Sequence, residues 1–376
     1  MKQSQRFIAV VIVSWLLALP LAAPAQAEDD PQAVANVIAN LGLMEGSTPA
    51  RERNGWRTPH KIVVLGPSKP LAEAAGNAEL VMATTPAAAA AAAVDADVVV
   101  GLTSDGGICE PEIIDNAKQL RWILSMSAGV ERCIAIPRVR ERGVLITNMR
   151  GVASSAIAEH AVALMLALAR NIDGFVTDQA AGRWNRAGAV GMQVVDGKTL
   201  LVVGLGGIGT EVASKAHALG MKVVATRNSS RKGPDFVSYV GLPDEMFKLA
   251  KDADVIVNTA PLTEETTGIF DAKFFAVMKP TAYFINVARG GSVVTADLVA
   301  ALEQHRIAGA GLDVVDPEPL PRNHPLWHAP NVIVTPHISG ASDLPEDKRW
   351  IIARENLRRY IAGERMLSVV DLDKGY

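Results

Sequence analysis

The chain has 376 residues, with 37 Lys and Arg against 40 Asp and Glu and a formal net charge of -3. That length allows two domains, and a hydrophobic fraction of 49% with 20% charged residues excludes a disordered chain. The balanced charge argues against nucleic acid as a partner. The only cysteines, Cys109 and Cys133, are too few for a disulfide scaffold and are not spaced as a zinc site, so no metal is expected.

The first element reads as a leader. Lys2 and Arg6 precede an apolar run from Phe7 to Leu19, Pro20 follows, and Ala25-Gln26-Ala27 has the small-x-small form of a cleavage site. The run falls short of the roughly twenty residues that a spanning helix needs, so residues 1–27 are expected to be a signal peptide. Export to the periplasm or the medium is then expected, with the membrane touched only through this segment. An uncleaved anchor or a cytoplasmic protein is the alternative. Neither a twin arginine nor a lipid-anchor cysteine accompanies the run.

Residues 28–59 form a polar extension with one helix expected at Ala33–Leu41. From His60 onward, short β-branched runs alternate with helical stretches. Strands are expected at Lys61–Leu65, Leu80–Ala83, Val98–Leu102, Trp122–Met126 and Val144–Thr147, with helices near 69–76, 86–93 and 111–118. The alternation predicts βαβ units and a parallel sheet. The alanine run Ala87–Ala93 reads as a bland surface helix. The helix Ser154–Arg170 is so densely apolar that two faces should be buried, between domains or across a subunit interface. Strands then recur at Leu200–Val203, Lys222–Ala225, Val255–Asn258, Tyr283–Val287, Ala310–Val314 and Val332–Thr335. Six parallel strands match a dinucleotide-binding sheet. A last helix, about Pro345–Ile361, could return to the first domain.

The fold class expected is therefore α/β, with two doubly wound parallel-sheet domains. The substrate-binding domain, flavodoxin-like, takes residues 28–149 plus 339–376, and a Rossmann NAD(P)-binding domain takes 150–338.

Gly204-Leu-Gly-Gly-Ile-Gly209 lies between the strand Leu200–Val203 and the helix Ile208–Leu219, the context that makes this fingerprint specific. Gly204 permits the tight turn, Gly206 lets the backbone approach a pyrophosphate, and Gly209 lets helix and strand pack closely. Gly207 and Ile208 complete the loop at the helix N-terminus, whose amides attract phosphate. The next strand ends in Thr226-Arg227-Asn228, with Arg231 beyond it, where NAD sites place an acid for the ribose 2′-OH. Without the acid, Arg227, Asn228 and Arg231 suit a 2′-phosphate, which favours NADP(H) over NAD(H). Solvated loop charges with no cofactor preference are the alternative.

Three polar residues fall at C-terminal ends of the later strands, where open parallel sheets bind ligands. They are Arg289 in Asn286-Val-Ala-Arg-Gly290, Glu318 in Asp316-Pro-Glu-Pro319, and His337 in Thr335-Pro-His-Ile-Ser-Gly340. Arginine can hold a carboxylate and polarise a ketone. Histidine can move a proton near neutral pH. A carboxylate on the other ring nitrogen orients the imidazole and stabilises its charged form. That set suits hydride transfer between a nicotinamide and a small 2-keto or 2-hydroxy acid.

These motifs resemble the D-isomer-specific 2-hydroxyacid dehydrogenase family, and within it the glyoxylate/hydroxypyruvate reductase-like members. The glycine fingerprint, Pro261-Leu-Thr263 followed by Thr266, "NVARGG", the aspartate-then-"EP" run, His324-Pro-Leu-Trp327 and "TPHISG" carry the resemblance over nearly all of residues 60–362. It implies that Arg289, Glu318 and His337 are catalytic. It also implies that Ala260, Pro261 and Thr266 border the cofactor, that Val287 and Ala288 line its ring, and that Asp313 lies near the nicotinamide amide. Ser127, Ala128 and Gly129, in Ser125-Met-Ser-Ala-Gly-Val130, resemble the family's substrate-carboxylate loop; Gly129 lets consecutive amides face an anion. The helix Ser154–Arg170 matches the family's dimer-forming helix, so a homodimer is implied, as is the return of the last helix to the first domain.

This sequence departs from the family in two places. Glu131-Arg132-Cys133 stands where many members have an acidic pair, and an export signal is unusual in a mostly intracellular family. A non-catalytic dinucleotide-binding protein of the same fold is the alternative function. A formate-dehydrogenase-like relative is a third reading, disfavoured because that branch pairs its histidine with glutamine. Cys109 and Cys133 fall at the same end of the first sheet. They either bridge, closing a loop of about 24 residues worth around 3 kcal/mol, or remain buried thiols.

Overall fold

The computed structural model describes residues 30–66, 71–103, 106–343 and 347–375. The expected signal peptide, residues 1–27, lies outside them. The chain forms two parallel sheets. The first sheet contains β1 (Lys61–Leu65), β2 (Glu79–Ala83), β3 (Val98–Gly101), β4 (Trp122–Ser125) and β5 (Leu145–Thr147), in the order β2-β1-β3-β4-β5. That is the flavodoxin-like winding. The second contains β6 (Thr199–Val203), β7 (Lys222–Thr226), β8 (Val237–Gly241), β9 (Val255–Asn258), β10 (Tyr283–Asn286), β11 (Gly309–Leu312) and β12 (Val332–Val334), in the order β12-β11-β10-β9-β6-β7-β8. Its winding reverses at β6, as in a Rossmann sheet.

The central strands carry no polar alternation because helices cover both faces. Each residue of β3, β4, β9 and β10 is buried. Four apolar clusters result, two to each sheet. A fully buried side chain such as Phe284 or Ile123 contributes about 1.5–3 kcal/mol.

Several expectations need correction. The second sheet has seven strands rather than six: β8 pairs in parallel with β7. It is an edge strand with two exposed residues, so its short polar-interrupted run carries a weak signal. The described part of the helix expected near 69–76 is a series of turns instead; Gly76 takes a φ of +59° there. The alanine helix Pro86–Ala92 is not simply a surface element, since Ala89 and Ala90 are buried in the core. Thr85 caps it, its hydroxyl accepting from the Ala88 amide at 3.2 Å. The helix Ser154–Ala169 buries one broad face, including Ala158, Ala161, Met165 and Leu168, against the second sheet.

The extension is part of the fold. Its helix Pro31–Asn40 begins two residues earlier than expected because Asp30 accepts from the Gln32 amide at 3.0 Å. The last helix, Asp347–Ala362, packs on the first sheet: Ile352, Ala353, Leu357 and Tyr360 join the cluster around Ile62 and Trp122. Trp56 donates its indole N–H to the Tyr360 carbonyl at 3.0 Å, and the Tyr360 ring stacks on Trp122 at 4.8 Å. Among the described residues, no single helix is long and apolar enough to cross a membrane.

Candidate active site

Parallel strands put all their C-terminal ends on one edge, so the segments after β6, β7, β9, β10, β11 and β12 converge. At the reversal point, Gly204 has a φ of +95°, and a Cβ there would come within 2.7 Å of the Ala260 backbone. Only glycine lets these two loops meet. A Cβ on Gly209 would collide with the Gly204 carbonyl and lie 2.8 Å from Thr259 Oγ1, so helix Gly207–Ala218 sits tightly on its strand. Gly207 lies against Ser154 Oγ, and Ile208 packs on the core. Gly206 differs, because a Cβ there would meet no protein atom within 4 Å. The fold does not fill the space beside that glycine, which leaves the backbone at the helix N-terminus open to an approaching anion. No side chain caps this helix, so its first amides are available to an anion. The residues fit a dinucleotide pyrophosphate.

Around the ribose position, Arg227 Nε donates to Ser229 Oγ at 3.0 Å, and its Nη1 donates to the Lys232 carbonyl at 3.2 Å. Asn228 is exposed beside it. Arg231 turns toward a different partner. Its Nη1 donates to Tyr239 at 3.0 Å and pairs with Glu245 Oε2 at 2.5 Å. Hydrogen bonds from Tyr239, the Leu242 amide and Arg231 hold the Glu245 carboxyl down at about 2. Arg227 is therefore the less committed cation. On the next loop, the Thr266 hydroxyl donates to the Pro261 carbonyl at 2.6 Å and accepts from the Thr263 amide at 2.7 Å. Its visible part is to shape the loop that follows Ala260.

The other expected residues gather at β10, β11 and β12. His337 Nδ1 lies 2.8 Å from Glu318 Oε2, and Glu318 Oε1 accepts from the Val315 amide at 3.0 Å. The Glu318 hydrogen bond raises the His337 pKa against the effects of burial and Arg289. Burial alone would push the Glu318 carboxyl up, but the bonds from His337 and the Val315 amide outweigh it, so it lies below the usual range. His337 occupies the left-handed region, φ +53°, which costs a non-glycine residue on the order of 1–3 kcal/mol.

Asp313 offsets that strain. It is buried and accepts from Thr335 Oγ1 at 2.7 Å, the Ile338 amide at 2.9 Å and the Ser339 amide at 3.0 Å. Its carbonyl accepts from the His337 amide at 2.8 Å. Burial acts to raise its carboxyl, and these hydrogen bonds bring it below the ordinary value. In the fold, Asp313 is thus a clamp on the loop that bears His337.

Val287 and Ala288 are buried where β10 ends. Asn286 Oδ1 accepts from the Ala288 amide at 3.1 Å and from Asn258 Nδ2 at 3.0 Å, while its Nδ2 donates to the Arg289 carbonyl at 3.0 Å. Ser292 Oγ donates to the same carbonyl at 2.7 Å. The guanidinium reaches across to the first sheet, with Nε 3.0 Å from Glu131 Oε1. It also packs on the expected anion loop, since a Cβ on Gly129 would collide with Nη2.

That loop is fixed through its carbonyls. Ser127 O accepts from Ser125 Oγ at 2.8 Å and the Met149 amide at 3.0 Å. Ala128 O accepts from Asn148 at 2.6 Å, and Gly129 O from Thr103 at 2.6 Å. Among the described residues, the Ala128 and Gly129 amides meet no acceptor. Beneath the loop, Cys109 and Cys133 are paired, with Cα atoms 4.8 Å apart, inside the range a disulfide requires.

Sequence reasoning missed the residues that support the site: the buried Asn258 and Ser292, and the half-buried Thr335 and His160. His160 lies 2.8 Å from Thr335 Oγ1 and so supports the Asp313 clamp. The one available signal was Asn258 at the end of an apolar strand, because a buried amide must find partners.

A Rossmann sheet with an arginine and a carboxylate–histidine pair beside its nucleotide crevice defines a nicotinamide-dependent oxidoreductase. Residues 162–339 match the family model described as D-isomer specific 2-hydroxyacid dehydrogenase, NAD binding domain. A glyoxylate reductase from Thermofilum pendens is 35% identical over 285 residues, 74% of this chain and 82% of that protein. A D-3-phosphoglycerate dehydrogenase from Methanocaldococcus jannaschii is 34% identical over 278 residues; the match spans only about half of that relative, 52%. Among solved structures, an NADPH-dependent glyoxylate/hydroxypyruvate reductase from Sinorhizobium meliloti, in complex with citrate, superposes with a TM-score of 0.69 at 26% identity, covering 83% of this chain and 98% of that one. The chain belongs to the D-isomer-specific 2-hydroxyacid dehydrogenase family.

Proposed function

We propose that the protein reduces a small 2-keto acid, such as glyoxylate or hydroxypyruvate, with NADPH. The carrying observation is the 2.8 Å contact of His337 with Glu318 on the strand edge that also presents Arg289. Arg289 anchors the substrate carboxylate and polarises the keto oxygen, with the amides of Ala128 and Gly129 facing the same anion. Glu318 holds Nδ1, so His337 delivers its proton from Nε2. The cofactor, when bound, supplies the hydride. Gly204, Gly206, Gly207, Ile208 and Gly209 hold its pyrophosphate, while Ala260, Pro261, Val287 and Ala288 border its reactive end. Arg227 and Asn228 recognise the 2′-phosphate; Arg231 contributes only if Glu245 releases it.

The division into lobes follows the same reading: 28–149 with 339–376 for substrate, and 150–338 for cofactor. Two copies are proposed to pair through the helix Ser154–Ala169 and the segment after it, which exposes Ile172, Val176, Trp184 and Val190. Cleavage after Ala27 and export are proposed from the leader layout, and the paired cysteines suit an oxidising compartment.

Turnover decides the matter. NADPH oxidation with glyoxylate or hydroxypyruvate should exceed NADH oxidation by about tenfold or more in kcat/KM. Protein that binds NADPH yet turns over no small 2-keto acid would instead be the non-catalytic binding protein.

A further inference from the structure

Glu131 differs from the other acids of the site in that its partner belongs to the other sheet. It opens the short helix Glu131–Ile134, directly after the anion loop. Its Oε1 lies 3.0 Å from Arg289 Nε, and Oε2 accepts from Arg289 Nη2 at 3.4 Å. A protein carboxylate thus occupies one side of the guanidinium. Arg289 Nη1 donates to the Ala288 carbonyl at 2.7 Å. Of the five N–H groups of a guanidinium, this leaves one on each terminal nitrogen, which is what a second carboxylate needs for a paired contact. The cluster is tight: a Cβ on Gly129 would collide with Nη2 and come within 2.6 Å of Glu131 Oε2.

We propose that Glu131 is a positioning residue for Arg289. It fixes the plane of the guanidinium against the 127–129 loop, so that the two remaining N–H groups meet the substrate. The proposal rests on the reading of Arg289 as the substrate anchor. An arginine side chain is long and loses much rotamer freedom when it is held; a carboxylate that orders it beforehand lowers the cost of binding the anion. Because Glu131 follows β4 and Arg289 follows β10, the pair also ties the two sheets together across the cleft. Glu131 carries a negative charge that opposes an anionic substrate. Its effect on substrate affinity therefore has a sign that experiment can read: a positioning carboxylate improves binding, whereas one that merely competes for Arg289 weakens it.

The test compares the full-length protein with Glu131→Gln and Glu131→Asp. With NADPH saturating, Glu131→Gln should raise the KM for glyoxylate about tenfold and lower kcat a few fold, leaving the KM for NADPH within about twofold. Glu131→Asp, which keeps the charge, should recover part of the loss. Without substrate, phenylglyoxal modification of Arg289, mapped by mass spectrometry, should run several-fold faster in Glu131→Gln, because the paired guanidinium is the less reactive one. An unchanged or lowered glyoxylate KM in an active Glu131→Gln variant overturns the role of Glu131 alone. An inactive wild type overturns the reading of the reaction, and equal labelling rates overturn the pairing itself.

Discussion

His337 and Arg289 are held by different kinds of structure. Among the described residues, the contacts that fix His337 come from the second sheet or from the helix lying on it: Glu318, Asp313, Thr335 and, behind Thr335, His160. Arg289 has its backbone fixed in the same sheet by Asn286 and Ser292. Its guanidinium instead meets Glu131 from the first sheet. On the proposed reading of the site, the proton donor is held within the second sheet, while the anion grip requires both sheets to be in place. Enzymes that close over their substrates commonly divide the work this way, with closure completing the site.

The largest expected break in this comparison is His337→Ala. Removing the proton donor should lower kcat for keto acid reduction by about 10³–10⁴-fold, with NADPH affinity measured by fluorescence titration nearly unchanged. The anion grip would remain, so the KM for glyoxylate should move little. Gly129→Ala breaks the other half. Its methyl would occupy the space of Arg289 Nη2, forcing apart the loop and the guanidinium. A misplacement of that size costs about 10²-fold, read mainly in KM for the keto acid. If Gly129→Ala instead lowered kcat alone, the separation between the two halves would fail.

The parts of the site differ in how far the sequence displays them. The glycine fingerprint is legible because each glycine answers a local demand, as Gly204 does where the loops after β6 and β9 meet. Arg289, Glu318 and His337 are legible because strand ends in a parallel sheet are sites by construction. Glu131 is less so: its partner lies 158 residues away, and only the packing of the two sheets brings them together. The same holds for Asn258, Asn286 and Ser292, whose shared hydrogen bonds require two neighbouring strands and a following loop at once. The edge strand β8 escaped because its polar residues, Ser238 and Tyr239, face solvent and interrupt the apolar run that marks its neighbours. Arg231 reads in the sequence as a phosphate ligand; its pairing with Glu245, remote in pattern but close in space, is not legible there.

The smallest effect is also the most specific to the His337 half. If His337 is the proton donor proposed above, it must carry a proton in the reducing direction, and Glu318 raises its pKa above the ordinary histidine value, about 6.5. Reduction should therefore persist through neutral pH and fall as pH rises through that raised pKa. In Glu318→Gln the hydrogen bond survives but the charge does not, while burial and Arg289 still act downward. The falling limb should move to lower pH, with a loss of about tenfold at its centre. The oxidation direction needs neutral His337, so its rising limb should shift the same way. Stability follows the same signs. The His337 contribution is present below its unfolded pKa and lost as pH rises through the raised one. The Glu318 contribution is present above its unfolded pKa and lost as pH falls through the lowered one. The pair therefore supports the loop from below the usual carboxylate range to above the usual histidine range. Since Glu131 lies outside this couple, Glu131→Gln should leave the pH limbs where they are while changing the keto acid KM. A shift of those limbs in Glu131→Gln would show that the anion grip and the proton donor titrate as one unit.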